Sequence, residues 1–152
     1  MSVNGKKTGL PGITRKGYAH VTGKWNKGDT ITIKFQMPVE RVEAHPSVRM
    51  NAGKVALQRG PLVYCLEEAD NGKNLADIAL ARKTEFKTVW RKDIPGGYAA
   101  IEGQAKRRLI DKWGDKLYSV EESGEKIIRF KAVPYYLWAN RKPGEMRVWI
   151  GM

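Results

Sequence analysis

Metal-binding and nucleophilic residues are scarce in this chain: one cysteine, Cys65, and two well-separated histidines, His20 and His45, among 152 residues. A structural zinc site needs three or four Cys, His or carboxylate ligands at close spacing, so no metal centre is expected. No internal disulfide can form. Cys65 lies inside the apolar string LVYCLE, where a thiol is shielded and its thiolate disfavoured, so it reads as a core residue rather than a nucleophile. The chain has no G-x-S-x-G elbow, no G-x-x-x-x-G-K-[ST] phosphate cradle and no dinucleotide fingerprint. Those absences remove support for nucleotide-dependent chemistry, and no cofactor is expected. Long apolar runs are missing too. The longest, residues 132–139, is far short of the ~20 residues a spanning helix requires. The opening string MSVNGKKTGLPGITRKG has no apolar stretch of the kind a secretory signal carries, so a cytoplasmic protein with no membrane contact is expected.

Positive charge is abundant: 28 Lys and Arg against 16 Asp and Glu, a net charge of +12. Such an excess favours polyanionic partners, nucleic acid among them. The basic residues come as scattered doublets and one triplet, Lys106-Arg107-Arg108, with no long run. That is the pattern of a solvated surface, and nucleic acid is the least favoured partner.

Short alternating segments separated by glycine, proline and Asx turns dominate the chain, as half-buried antiparallel strands do. Residues 30–36, TITIKFQ, are the clearest, with Ile31, Ile33 and Phe35 expected to face the core. VALQR (55–59) and PLVYCLE (61–67) read as strands joined through Gly60-Pro61, the second apolar on both faces and therefore central. Further strands are expected at 18–21, 86–90, 98–102, 117–120, 127–133 and 146–150, with 39–48 an edge or irregular stretch broken by Pro46. Residues 75–83 and 104–113 instead space their apolar residues almost helically. The stretch 68–73, EADNGK, has loop composition and is the one internal boundary the composition suggests. The fold class expected is all-β: an antiparallel, jelly-roll-like β-sandwich of about nine strands with at most short helices.

Glycoside hydrolysis needs two carboxyl groups roughly 5–10 Å apart. Glu67 and Glu68 are adjacent, so on a strand they would point to opposite faces, and they read as a strand end running into an acidic loop. No catalytic residue is identified. Five Trp, six Tyr and three Phe remain. Core and rim packing is the ordinary use of such rings, but Trp25, Trp90 and Trp113, interleaved with lysines, could stack on sugar rings. The dense cluster Tyr135, Tyr136 and Trp138 suits a contact with a neighbouring domain.

Three strings carry a specific resemblance: GY…KW…GDTI at 17–31, GKVALQRGPLVYCLEEAD at 53–70, and AVPYYLWANRKPGEMRVWI at 132–150. In order and spacing they resemble the C-terminal region of glycoside hydrolase family 127, the β-L-arabinofuranosidase family. The resemblance implies β-sandwich modules that follow an (α/α)6 catalytic barrel. It also implies that the acid/base glutamate, the nucleophilic cysteine and the zinc cysteines belong to that barrel. Cys65 matches none of them, so no activity is implied for this chain alone. The implied role is a non-catalytic accessory domain supporting the barrel, in cis or as a separate chain, with arabinose-containing glycans as the parent's ligands. On this reading residues 1–37 are a remnant or edge strands of a neighbouring sandwich module and 38–152 the main sandwich. The alternatives are a stand-alone carbohydrate-binding module using Trp25, Trp90 and Trp113, and a basic nucleic-acid-binding domain.

Overall fold

A computed structural model describes residues 1–9, 12–110, 113–120 and 123–152. The chain divides into two compact units, Met1–Gln36 and Met37–Met152.

The first unit contains five two-residue strands: β1 (Ser2–Val3), β2 (Lys6–Lys7), β3 (Thr14–Arg15), β4 (Tyr18–Ala19) and β5 (Ile31–Thr32). β1 pairs with β2 on one edge and β5 on the other, and β3 pairs with β4. Asn4 and Asp29 tie the small sheet together: the Asn4 side chain donates to Asp29 Oδ1 at 2.9 Å and accepts from the Thr30 amide at 2.8 Å. None of its described residues is buried. Here the expectation for residues 30–36 fails. Only Ile31 and Thr32 are strand, and Ile31, Ile33 and Phe35 are 46, 53 and 76% exposed. Period-two alternation marks a face suited to burial, but burial requires a second layer, and the described residues of the first unit form none.

The second unit holds β6 (Val39–Val42), β7 (Lys54–Arg59), β8 (Leu62–Glu67), the one-turn helix α1 (Glu68–Asn71), β9 (Ile78–Ala79), β10 (Phe86–Arg91), β11 (Tyr98–Arg108), β12 (Glu125–Pro134), β13 (Met146–Arg147) and β14 (Ile150–Gly151). Among the described residues its nine strands form one sheet and no helix is long, and the protein is all-β. Several strands change partner along their length. β7 pairs with β8 through Leu57–Arg59 and with β14 through Lys54 and Val55, so the ladder β7-β8-β12-β11-β9-β14 returns to β7 and closes on itself. A closed circuit leaves few exposed edges. β6 lies at one end, as the edge-strand reading of 39–48 expects.

β7 and β8 form the hairpin foreseen at Gly60-Pro61, with Arg59 opposite Leu62. Gly60 has φ +57°, the left-handed value a two-residue hairpin needs at its first loop position, and a Cβ there would lie 2.7 Å from Met37 Cε. β8, the end of β12 and the start of β11 carry buried residues on both faces. Tyr64, Leu66, Ile101, Ala105, Phe130 and Ala132 point into the main core with Val55, Leu57 and Ile150. Cys65, Tyr98, Ala100 and Val133 point the other way, into a smaller core closed by Ile94, Leu137, Met146 and Val148.

Two further expectations change. The near-helical spacing at 104–113 belongs, through Arg108, to the long strand β11, where Ala105 is buried by alternation; residues 111 and 112 lie outside the described set. Residues 117–120 form no strand, and Leu117, Tyr118 and Val120 are almost fully exposed. Leu66→Ala should lower the unfolding free energy by about 2–5 kcal/mol in urea titration. Ile33→Ala should change it by no more than about 0.5 kcal/mol, and an equal loss at both positions would show that the Ile33 face is covered.

Candidate functional site

The most elaborate polar constellation joins the end of β8 to the segment 139–145. Glu67 closes β8 at 3% exposure. Its Oε1 accepts the Ala139 amide at 2.9 Å, and its Oε2 is ion-paired with Arg141. Asp70, one turn on in α1, receives Arg141 Nη1 on Oδ1 at 2.9 Å and pairs with Lys131 Nζ. Two buried carboxylates thus face two cations, which balances their charge. Burial alone would raise the Asp70 carboxyl, but hydrogen bonds from Arg141 and Lys131 outweigh it and hold the group below the usual carboxylate value. The Asp70 bonds in turn push the Arg141 guanidinium above its ordinary value.

Backbone contacts surround this centre. The Asn71 amide copies a strand peptide: Nδ2 donates to the Lys131 carbonyl at 2.9 Å while Oδ1 accepts the Lys131 amide at 3.0 Å. The ladder between β8 and β12 is thereby continued past the end of β8. Arg107 of β11 donates to the Lys73 carbonyl at 3.0 Å and to that of Asn71. On the other side Glu68 and Glu145 clasp each other through main chain and side chain, at 2.9 and 3.0 Å. Glu145 also accepts the amides of Leu75 and Asn74, which keeps its carboxyl low. Residues 68–73, expected as an exposed boundary loop, are therefore a clamp within the second unit.

This arrangement is suited to holding chain segments together rather than to moving protons. Each carboxylate oxygen of Glu67 and Asp70 already accepts a donor, which leaves none aimed at a substrate. The Cys65 thiol is fully buried and pushed up to about 12, by desolvation first and the Glu67 charge second, so it carries no thiolate near neutrality. Among the described residues no three His, Cys, Asp or Glu side chains gather as a metal site would require.

The aromatic candidates fall in different places. Trp25 lies in the first unit, 46% exposed. Trp90, on β10, is 60% exposed and borders a 480 Å³ surface hollow with Pro95, Gly96 and Gly97. A Cβ on Gly97 would come within 2.9 Å of its indole. Trp113 is partly exposed in the turn after the undescribed pair 111–112. Tyr135, Tyr136 and Trp138, by contrast, are gathered by one 3₁₀ turn directly after β12. Tyr135 and Trp138 stack at 6.1 Å between centroids, and all three rings are about half exposed. Sequence reasoning missed Asp70, Asn71, Lys131 and Arg141. The available signal was that the acidic end of one diagnostic string, EEAD, and the Arg141-Lys142 doublet in another, WANRKPGEM, carry opposite charges.

Comparison with known proteins agrees with this architecture. The family model described as the glycoside hydrolase family 127 C-terminal domain matches residues 39–151. A non-reducing end β-L-arabinofuranosidase of Bifidobacterium longum subsp. longum is 36% identical over 97% of this chain, which spans 23% of that protein. The crystal structure of a GH127 β-L-arabinofuranosidase from Geobacillus stearothermophilus T6 superposes with a TM-score of 0.84 at 47% identity, over 99% of this chain and 24% of the other. A further GH127 β-arabinofuranosidase structure gives 0.82 at 34% identity, over 99% and 22%. The chain thus spans about a quarter of the length of the relatives it matches.

Arg141→Met would leave Glu67 and Asp70 buried with Lys131 as their remaining cation, and should cost about 3–5 kcal/mol in urea unfolding. Because the Asp70 carboxyl is lowered by folding, its stabilisation is complete above the ordinary carboxylate value of about 3.9 and is lost as pH falls through the lowered folded value. Urea midpoints measured down to about pH 2 should therefore fall more steeply for the native chain than for Asp70→Asn.

Proposed function

We propose, for a chain that belongs to glycoside hydrolase family 127, a non-catalytic role as a C-terminal accessory domain that packs against the family's (α/α)6 catalytic barrel. The observation that carries this reading is the aromatic ledge Tyr135, Tyr136 and Trp138, half exposed on a turn whose exit is pinned by the Glu67 bond to the Ala139 amide. Tyr and Trp offer large contact area at low entropy cost and are enriched at the centres of interfaces. A ledge already held rigid loses little freedom on docking. The matched relatives are named as β-L-arabinofuranosidases and are about four times longer, so the catalytic partner would be the part of such a protein that this chain lacks. Residues 1–37 fit a partial module: the apolar face of Ile31, Ile33 and Phe35 is exposed and would be covered by strands from a neighbouring sandwich.

A second reading, binding of arabinose-containing glycans, is favoured by Trp90, whose exposed indole beside the Pro95–Gly97 turn offers a stacking surface.

The pure chain should not hydrolyse aryl β-L-arabinofuranosides. It should associate in trans with the Geobacillus relative truncated before its matching region, and Tyr136→Ala with Trp138→Ala should weaken that association at least tenfold. Turnover by the pure chain, or association indifferent to the double substitution, would overturn the accessory reading. Heat released on titration with arabino-oligosaccharides, and lost in Trp90→Ala, would establish the second reading.

A further inference from the structure

β9 and β10 run along the same edge of β11 in the same direction and are two parts of one interrupted strand. β9 ends with Ala79 opposite Lys106, and β10 begins with Phe86 opposite Gly103. The six residues 80–85 therefore face only Gln104 and Ala105, a bulge far larger than the single extra residue of an ordinary one. Its form is fixed from behind. Leu80 is fully buried, and the Arg41 guanidinium donates to the carbonyls of Ala81 and Thr84 at 2.9 and 3.1 Å while lying 4.7 Å from the Phe86 ring centroid. Gly103 lets the Glu85 carbonyl approach to within 2.7 Å of where a Cβ would stand. Where the bulge leaves β11, an open groove of about 760 Å³ forms over Gly103 and Ala105, within the range of oligosaccharide-sized ligand sites.

The walls of this groove are cationic. Lys83, Lys87, Lys106 and Arg129 line it against Glu85 and Glu102. Glu102 is taken by Arg91, and Lys106 pairs with Glu125 at 2.7 Å. Lys83, Lys87 and Arg129 are exposed and form no ion pair among the described residues. The register spaces the charges. Lys87 pairs across from Glu102, Arg129 from Gln104, and Lys106 is two residues further on the same face of the sheet. That is one cation in each of three successive rows, about 7 Å apart along the strands. A point ion would use one such row, whereas a repeating anion would use all three. Among the described residues no aromatic ring lines the groove, so they offer no stacking platform of the kind single-stranded nucleic acid uses. The Gln104 amide and Thr84 hydroxyl can serve sugar hydroxyls.

We propose that this bulge-lined groove binds a carboxylated, uronate-type oligosaccharide, its carboxylates paired with Lys87 and Arg129 and, by exchange for the exposed Glu125 partner, with Lys106. The lining includes neither the aromatic ledge nor Trp90, and the site does not depend on the accessory-domain reading. Calorimetric titration of the 152-residue chain with trigalacturonate tests it, with neutral arabinotriose and a short oligothymidylate of equal charge as comparators. Trigalacturonate should bind at least tenfold more tightly than either. The exposed-residue variant Lys87→Glu/Arg129→Glu should lose at least tenfold in affinity with an unchanged melting temperature, while Trp90→Ala should bind like the native chain. No heat with trigalacturonate, equal binding of the neutral sugar, tighter binding of the oligothymidylate, or affinity indifferent to charge reversal would each overturn the proposal.

Discussion

A carboxylate at the end of a core strand has to be given partners, and much of the second unit is arranged around giving them to Glu67. Its oxygens take the Ala139 amide and the Arg141 guanidinium, and Arg141 reaches on to Asp70, which also holds Lys131 of β12. Residues more than 70 positions apart in sequence are thereby fixed side by side. Removing any one charge strands another in a low-dielectric setting, which is why such clusters hold as a unit or fail as one. Around this centre the Asn71 amide continues the β8–β12 ladder and Glu145 receives the amides of Asn74 and Leu75. The turn bearing Tyr135, Tyr136 and Trp138 is bounded on one side by β12 and on the other by the Glu67 bond. Its half-exposed rings are presented on a rigid support.

The same constraint explains where the acidic and basic side chains of the motif-rich strings go. EEAD and WANRKPGEM stand in the strings that carry the family resemblance, and both hold charged residues. In the folded chain those residues spend their hydrogen-bonding capacity on one another and on backbone amides. A carboxylate saturated in this way is a poor proton carrier, and the thiol beside it at Cys65 is silenced by burial. Membership of a hydrolase family is therefore compatible with a segment whose own acidic and basic side chains are spent on holding its chain together.

Legibility in the sequence followed the range of the interactions. β7, β8, β10 and β12 were readable because period-two alternation and the Gly60-Pro61 turn are local. The apolar face of Ile31, Ile33 and Phe35 was readable as a pattern but not as a buried surface, since covering it takes a layer from elsewhere. β11 was half readable: its start at 98–102 was expected as a strand, but Ala105, Leu109 and Trp113 mimic helical spacing and hid its continuation through Arg108. The bulge at 80–85 gave no local sign, being defined by where β9 and β10 meet β11. The charge cluster was half visible: both strings were recognised for their specificity, but nothing within either says that it closes on the other. Only the three-dimensional pairing of Arg141 with Glu67 and Asp70 does so.

A double-mutant cycle between Glu67 and Arg141, using Glu67→Gln and Arg141→Met and read by urea unfolding, measures that closure directly. The structure requires strong coupling, with the double variant more stable than the sum of the single losses predicts by about 1.5 kcal/mol or more. Additive losses would mean that the two strings do not depend on each other, and would contradict the account in which their charges exist to bind the chain together.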